Sequence, residues 1–381
     1  MPLLELEADG LRSLSQVRIA LHPGLNLVTG ANGAGKTSLL EAIYLLGRGH
    51  SFRTRLTERL IDRQKEALLV VGRVAAQQLG QPAGTGEGQG SGPPSGQSAG
   101  LEGFAQLPPV VVGLAQRRGE ALEARIGGQP ARSLAALAEV FPVQIIDPGI
   151  HRLVEEGPVY RRRWLDWGVF HVEPSFGGAW QEYRRALQQR NAALKAQADP
   201  TPWEPTLIRA GELITEARAR TLARLQALWP ETLAALAAEP VTLGFQRGWP
   251  QGLSLAESLS HHRSRDVERG TTLTGPHRFE VWLRMGSRAA REVLSRGQQK
   301  LVGAALALGL AREVGAVRGQ APVLLLDDPA AELDALHTEA LIRAVRGWQG
   351  QLVVTALERA PATLGPPEAA FHVEHGRVTT L

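Results

Sequence analysis

Apolar and polar residues alternate through 3–21, with Leu4, Leu6 and Ala8 and then Val17, Ile19 and Leu21 on one side. A period of two predicts the arms of a β-hairpin. Leu25-Asn26-Leu27-Val28-Thr29 reads as a strand, and Ser38 to Leu46 carries a helix-like apolar face. Residues 67–71, 110–114, 121–126 and 143–146 are further short strand candidates. Between the first two, 79–103 is rich in Gly, Ser, Gln and Pro and too poor in apolar residues to bury a core. Beyond Arg161 the period lengthens: Trp180, Tyr183, Leu187, Asn191 and Leu194 recur every three or four residues. Asp199-Pro200-Thr201-Pro202 interrupts, and then Leu207, Ile214, Thr221 and Leu228 recur every seven, with Ala210 and Ala217 between. Two helices around a proline turn predict a short antiparallel hairpin. Strands are expected at 241–245 and 279–283, joined by a loop holding His261, His262, Arg263, Arg265 and Arg269. A helix follows Leu294 and runs through Leu310. Val323-Leu324-Leu325-Leu326 and Leu352-Val353-Val354-Thr355 have the all-apolar look of central parallel strands.

The 381 residues suffice for two or three domains. The absence of cysteine excludes disulfides, thiolate catalysis and Cys-based zinc sites. The histidine pair 261–262 lacks a third ligand at metal spacing. No apolar run is long enough to span a bilayer and the N-terminus has no signal pattern, so a cytosolic protein without a membrane partner is expected. The formal charge is +4 and the pI near 9.8, mildly favourable to a polyanion. From Arg161 to Arg224 eleven Lys/Arg face seven Asp/Glu, an excess equal to that of the whole chain. A second basic run, 47–65, carries Arg48, Arg53, Arg55 and Arg59 beside Phe52. It is a candidate DNA-contacting patch in which the ring could stack on a base.

The chemistry starts at Gly30-Ala31-Asn32-Gly33-Ala34-Gly35-Lys36-Thr37, which fits the phosphate-binding P-loop and lies between a strand and a helix as that loop requires. Glycines let the backbone N–H groups turn toward phosphate oxygens, and the helix N-terminus adds partial positive charge. Lys36 can reach the outer phosphates and the Thr37 hydroxyl can hold Mg²⁺. Asp327 and Asp328 close the apolar strand at 323–326 as a second Mg²⁺-site motif does. Asp327 would bear on the metal, and Asp328 would orient or deprotonate the attacking water. About 30 residues earlier stands Leu294-Ser295-Arg296-Gly297-Gln298, and Ala331-Glu332-Leu333-Asp334 follows the acidic pair. Together these are the marks of an ABC-type ATPase head.

Nearly the full length also resembles the RecF family, recombination-repair ATPases related to SMC-type heads. The marks are the P-loop with Ser38-Leu39-Leu40-Glu41-Ala42, Gly157-Pro158 followed by Arg161-Arg162-Arg163 and Leu165-Asp166, Gly275-Pro276-His277-Arg278, Leu294 to Lys300, and Leu326-Asp327-Asp328 with Glu332-Leu333-Asp334. The resemblance implies ATP bound by residues 30–38, Ser38 included, with Lys36, Asp327 and Asp328 catalytic and Mg²⁺ held by Thr37 and Asp327. It places the family's Q-loop glutamine near Gln144. Ser295, Gly297, Gln298 and Asp334 would serve the ATP of a second subunit, so that ATP joins two heads into a homodimer over DNA and hydrolysis releases them. A RecR-like mediator would be a partner in loading recombinase.

Three departures stand out. Pro329 and Ala330 replace an apolar–aromatic pair, Ala331 replaces a Ser, and Thr355 stands where ABC transporters have a switch histidine, which implies slow turnover. The expected fold is α/β, an ABC-type head with a P-loop mixed sheet and helices plus a mainly helical arm. The expected segments are 1–146 (head), 147–240 (arm) and 241–381 (head). A transporter cassette and a P-loop small-molecule kinase are the competing readings. Salt-dependent DNA binding separates the repair ATPase from the first, and nucleotide-dependent dimerisation separates it from the second.

Overall fold

The computed structural model describes residues 1–54, 56–76, 108–331, 333–357 and 362–381. Arg55, Glu332 and the segment 79–103 lie outside the described residues. The strands are β1 (Leu3–Asp9), β2 (Val17–Ala20), β3 (Leu25–Thr29), β4 (Ala67–Val74), β5 (Val110–Arg117), β6 (Glu123–Ile126), β7 (Gln129–Pro130), β8 (Val143–Ile146), β9 (Thr242–Gln246), β10 (Glu280–Met285), β11 (Arg288–Ala289), β12 (Val323–Leu326), β13 (Leu352–Ala356), β14 (Ala369–Glu374) and β15 (Arg377–Thr380). The helices are α1 (Lys36–Arg48), α2 (Leu134–Val140), α3 (Arg152–Glu155), α4 (Pro158–Val172), α5 (Phe176–Lys195), α6 (Glu204–Ala235), α7 (Leu255–Arg269), α8 (Ala290–Val293), α9 (Arg296–Arg318) and α10 (Ala335–Arg346). Contacts divide the chain into two compact units, one of 1–145, 322–328 and 348–381, the other of 146–321 and 329–347. The boundaries read from sequence follow the order of the motifs. Contact instead groups 241–321, signature helix included, with the helical segment.

The first unit holds two six-stranded sheets, ordered β2-β1-β4-β5-β6-β7 and β15-β14-β3-β13-β12-β8. The first is antiparallel throughout, as period-two strands with one face in the core demand. In the second, β12, β13, β3 and β14 run parallel in adjacent positions. Their interior residues, such as Val28, Leu324, Val354 and Phe371, are fully buried. Helix α1 touches β4 and β5 of one sheet and β13 of the other, so it is apolar on more than one face. Gly47 is what lets it approach closely, since a Cβ there would come within 2.3 Å of the Phe141 carbonyl.

The second unit is built on α9, buried from Gln299 to Ala311 and packed against α4 and α6. The predicted hairpin is α5 against α6. Its seam holds at Leu207, Ala210, Ile214, Ala217 and Thr221, but Leu228 is 45% exposed while Leu225 and Trp229 are buried. A straight helix drifts about 20° per heptad from a seven-residue repeat, so after three heptads the inward position has moved on by one residue. The expected loop between 245 and 279 is also corrected: its middle, with the His and Arg residues 261–269, is α7. Ser254 and Glu257 form a reciprocal capping box at its start and Gly270 closes it in the left-handed conformation.

Buried charge ties this unit together. Arg190 is fully buried and bonds Asp266, Glu204 and Thr272. Arg218, also fully buried, forks onto Asp166 at 2.8 and 3.0 Å and donates to the Pro276 carbonyl at 2.7 Å. Arg161 binds Glu280 and the Val281 carbonyl. The Arg-rich start of α4 and the Gly275-Pro276-His277-Arg278 turn, which the sequence offers as separate marks, therefore meet. His277 Nε2 lies 3.0 Å from the Thr272 carbonyl, an acceptor only, so Nε2 carries the proton and Nδ1 accepts from the Tyr183 hydroxyl at 2.6 Å.

Burial, helped by the neighbouring cations Arg278, Arg162 and Arg218, pushes the His277 imidazole down to about 4. Between that value and the unfolded value of about 6.5 the unfolded chain binds the extra proton, so stability falls as pH is lowered through this window. The cost is about 3 kcal/mol once the folded imidazole is also charged. Urea unfolding followed from pH 7 to pH 4 should show this loss, and His277→Gln should flatten that part of the curve.

Candidate nucleotide-binding site

The P-loop follows β3 because three of its glycines adopt backbones that side chains resist: Gly30 at φ 150, Gly33 at φ 78 and Gly35 at φ 121. A Cβ on Gly30 would lie 2.3 Å from the Val373 carbonyl, so strand β14 excludes any larger residue there. Ala31, Asn32 and Gly33 are exposed, Ala34 is half-buried, and Gly35 and Ser38 are buried. Gly35 is the N-cap of α1 and offers no side chain to its first-turn N–H groups, which leaves them directed at the loop's concave face. Lys36 is 7% exposed, and its Nζ donates to the carbonyls of Gly30 at 2.6 Å and Ala31 at 3.0 Å. Its ammonium thus lies inside the loop whose N–H groups would meet phosphate.

Strand order brings the second motif to the first. β13 lies between β3 and β12, and the Thr37 hydroxyl stands 3.0 and 3.2 Å from the two carboxylate oxygens of Asp327. Asp327 is 6% exposed, and burial raises its pKa. The bonds from Thr355 and Thr37 and the field of Arg53 act the other way, and Asp328 adds to the rise. A hydroxyl beside a buried, electron-rich carboxylate is the hard-oxygen donor set that suits Mg²⁺, so the residues present fit that ion and a triphosphate. Asp328 is half-buried, with φ 43, a left-handed conformation that Asp tolerates better than most residues. Gln144 lies within β8, whose four residues are all buried.

The arginines of the basic run divide. Arg59 is exposed and its carbonyl accepts from Arg12. Arg48 lies over the Tyr44 ring, and Phe52 packs edge-on against the same ring. Arg53 is turned toward the nucleotide motifs: its NH1 is 3.8 Å from Glu41, and its charge acts on Asp327. Glu41, fully buried on α1, also forks onto Arg12 at 2.9 and 3.0 Å and accepts from the Ser51 hydroxyl. Sequence reasoning did not find Arg12, because it lies outside every periodic segment and its place depends on a carboxylate 29 residues away.

In the second unit Ser295 is exposed at the N-cap of α9. It accepts from the Gln298 N–H, and the Gln298 side chain accepts from the Ser295 N–H, which leaves the serine proton to donate outward. Gln298 Nε2 also donates to Glu239 at 2.9 Å, and Gly297 is half-buried. Lys300 on the same helix donates to the Ala331 carbonyl at 2.7 Å. Asp334 is the exposed N-cap of α10. It accepts from the His337 N–H and faces its ring nitrogen at 2.8 Å, and these bonds hold its carboxyl below the usual range.

No described helix is long and apolar enough to cross a membrane. Residues 2–364 match the family described as RecF/RecN/SMC N terminal domain. The chain is 41% identical to the DNA replication and repair protein RecF of Thioalkalivibrio sulfidiphilus, over 99% of this chain and 98% of that one. It is 38% identical to the protein of the same name from Chromohalobacter salexigens, over 100% of both. Among solved structures, that of the recombination mediator protein RecF-ATP in the RecFOR pathway is similar with a TM-score of 0.82 at 22% identity, covering 100% of this chain and 97% of that one. An SMC head bound to the C-winged helix domain of ScpA aligns with a TM-score of 0.56 at 15% identity over 100% of this chain and 98% of that one, a likeness of fold alone. With the P-loop, the acidic strand end and the exposed signature serine placed as described, these likenesses make the chain a member of the RecF family.

Proposed function

We propose that this protein is a slow, ATP-switched DNA-binding ATPase of recombinational repair, acting in the cytosol as a homodimer that closes over DNA when ATP is bound. The observation that carries the reading is the exposure of Ser295 at the start of a long helix, with its proton free to leave the chain's own hydrogen bonds. A helix N-terminus with an outward hydroxyl is an anion site. In a sandwich of two heads it would meet the γ-phosphate held by the other copy, with Gly297, Gln298 and Asp334 beside it. The names of the relatives, DNA replication and repair proteins, support the DNA partner, and the RecFOR wording of the solved relative supports a RecR-like mediator. Nothing in these likenesses favours the transporter cassette.

In this scheme the P-loop N–H groups and Lys36 bind the phosphates, and Thr37 and Asp327 would hold Mg²⁺. When bound, that ion neutralises charge on the β- and γ-oxygens. Asp328 orients the attacking water and takes its proton. Exposed Arg59 contacts DNA phosphates, whereas Arg53 acts at the nucleotide, where Glu41 and Asp327 lie.

Light scattering with and without ATP tests the sandwich. Lys36→Met should abolish both ATP binding and the dimer, whereas Ser295→Arg should keep ATP binding by the monomer and lose the dimer. Loss of monomer binding in Ser295→Arg would show that the serine serves its own subunit's nucleotide. Asp328→Asn should trap the ATP dimer, with hydrolysis reduced by about 100-fold or more; hydrolysis at the normal rate would move the water-activating role elsewhere. Duplex DNA binding titrated across salt should show Arg59→Gln lowering the slope of log K against log salt by about 1 without altering ATP binding.

A further inference from the structure

We infer that Thr355 is the positioning residue of the acidic pair, occupying with a hydroxyl the place where an imidazole senses nucleotide in transporter cassettes. The inference rests on the assignment of Asp327 and Asp328 above and adds a residue to it. Thr355 is fully buried on β13, the strand between the P-loop strand and the strand that ends in the carboxylates. In register, Val354 pairs with Leu326 and Thr355 with Val28, so Thr355 stands level with the point where the chain leaves β12 for Asp327. Its hydroxyl is used in both directions. It donates to Asp327 Oδ1 at 2.8 Å and accepts from the Asp328 N–H at 2.8 Å.

Each bond fixes a different aspartate, Asp327 by its carboxylate and Asp328 by its backbone N–H. The first holds Oδ1 of Asp327, while Thr37 spans both oxygens and lies nearer to Oδ2, so the carboxylate is held by two hydroxyls. The second grips the backbone of Asp328 where φ is 43. A residue held left-handed needs its neighbours to impose that conformation, and here the hydroxyl does so. The direction in which the Asp328 side chain leaves the backbone therefore depends on Thr355. A hydroxyl that ties the Asp327 carboxylate to the Asp328 backbone carries no charge of its own, unlike a protonated imidazole, and both its donor and its acceptor roles are taken up by the acidic pair. It sets the geometry of the groups that act.

The test compares Thr355→Val, which keeps the shape and removes the hydroxyl, with Thr355→Ser, which keeps the hydroxyl, in the full chain. Asp328→Asn runs beside them. For Thr355→Val the single-turnover hydrolysis rate should fall by about 100-fold. Binding of Mn²⁺ with a non-hydrolysable ATP analogue, counted by electron paramagnetic resonance, should weaken by about 10-fold. Binding of ATP measured in EDTA should match the parent, and Thr355→Ser should recover most of both losses. If Thr355→Val does not fold, Thr355→Ala, which also lacks the hydroxyl, is read in its place. Wild-type hydrolysis in Thr355→Val beside an inactive Asp328→Asn would overturn the role of Thr355 alone. Wild-type hydrolysis in Asp328→Asn would overturn the assignment beneath it. Equal losses of melting temperature, EDTA-state ATP binding and Mn²⁺ binding in the Val and Ser variants would make Thr355 a packing residue and likewise overturn the inference.

Discussion

A carboxylate buried at the end of an apolar strand is the constraint on which the site depends. Asp327 has left water, and burial alone would drive it toward the neutral acid. Its charge is kept useful by groups that come from far along the chain: the hydroxyl of Thr37 at the head of α1, the hydroxyl of Thr355 on β13, and the guanidinium charge of Arg53. These can converge only if β3, β13 and β12 are neighbours and parallel, so that all three end at the same edge of the sheet. The sheet order is thus tied to the chemistry.

The helical unit solves the same problem with the opposite sign. Arg190 and Arg218 are fully buried, and each is met by carboxylates and carbonyls placed in advance. Removing one member of such a set leaves an uncompensated charge, which typically costs about 3–5 kcal/mol. Much of the arm's positive excess is therefore spent on internal pairs. Arg209 and Arg220, although exposed, also have carboxylate partners in Glu182 and Glu173. The charge count of this segment says less about a polyanionic partner than the position of each arginine does.

The difference between what could and could not be read beforehand follows from range. The P-loop, its flanking strand and helix, and the acidic strand end are local patterns, and residues 30–37 and 323–328 announce themselves. Strands that alternate with period two or are apolar throughout are local too. The helix α7 was hidden because its His and Arg residues look like a loop, although Ser254, Glu257 and Gly270 marked both its ends. The ends of the hairpin seam were misplaced at Leu228 because a count by sevens ignores the true pitch. Thr355 could be noticed only as a missing histidine, and Arg12 not at all, because what they touch is decided by which strands lie side by side.

Lys300 gives the signature helix a second role. Its buried side chain reaches from α9 to the main-chain oxygen of Ala331, in the stretch that leads to α10. A bond to backbone does not depend on what residue stands at 331, so alanine there leaves the linkage intact. The signature helix is thus tethered to the chain ahead of α10 by an ammonium that reads main chain alone, and the small residue that costs position 331 a hydroxyl does not cost it this tie.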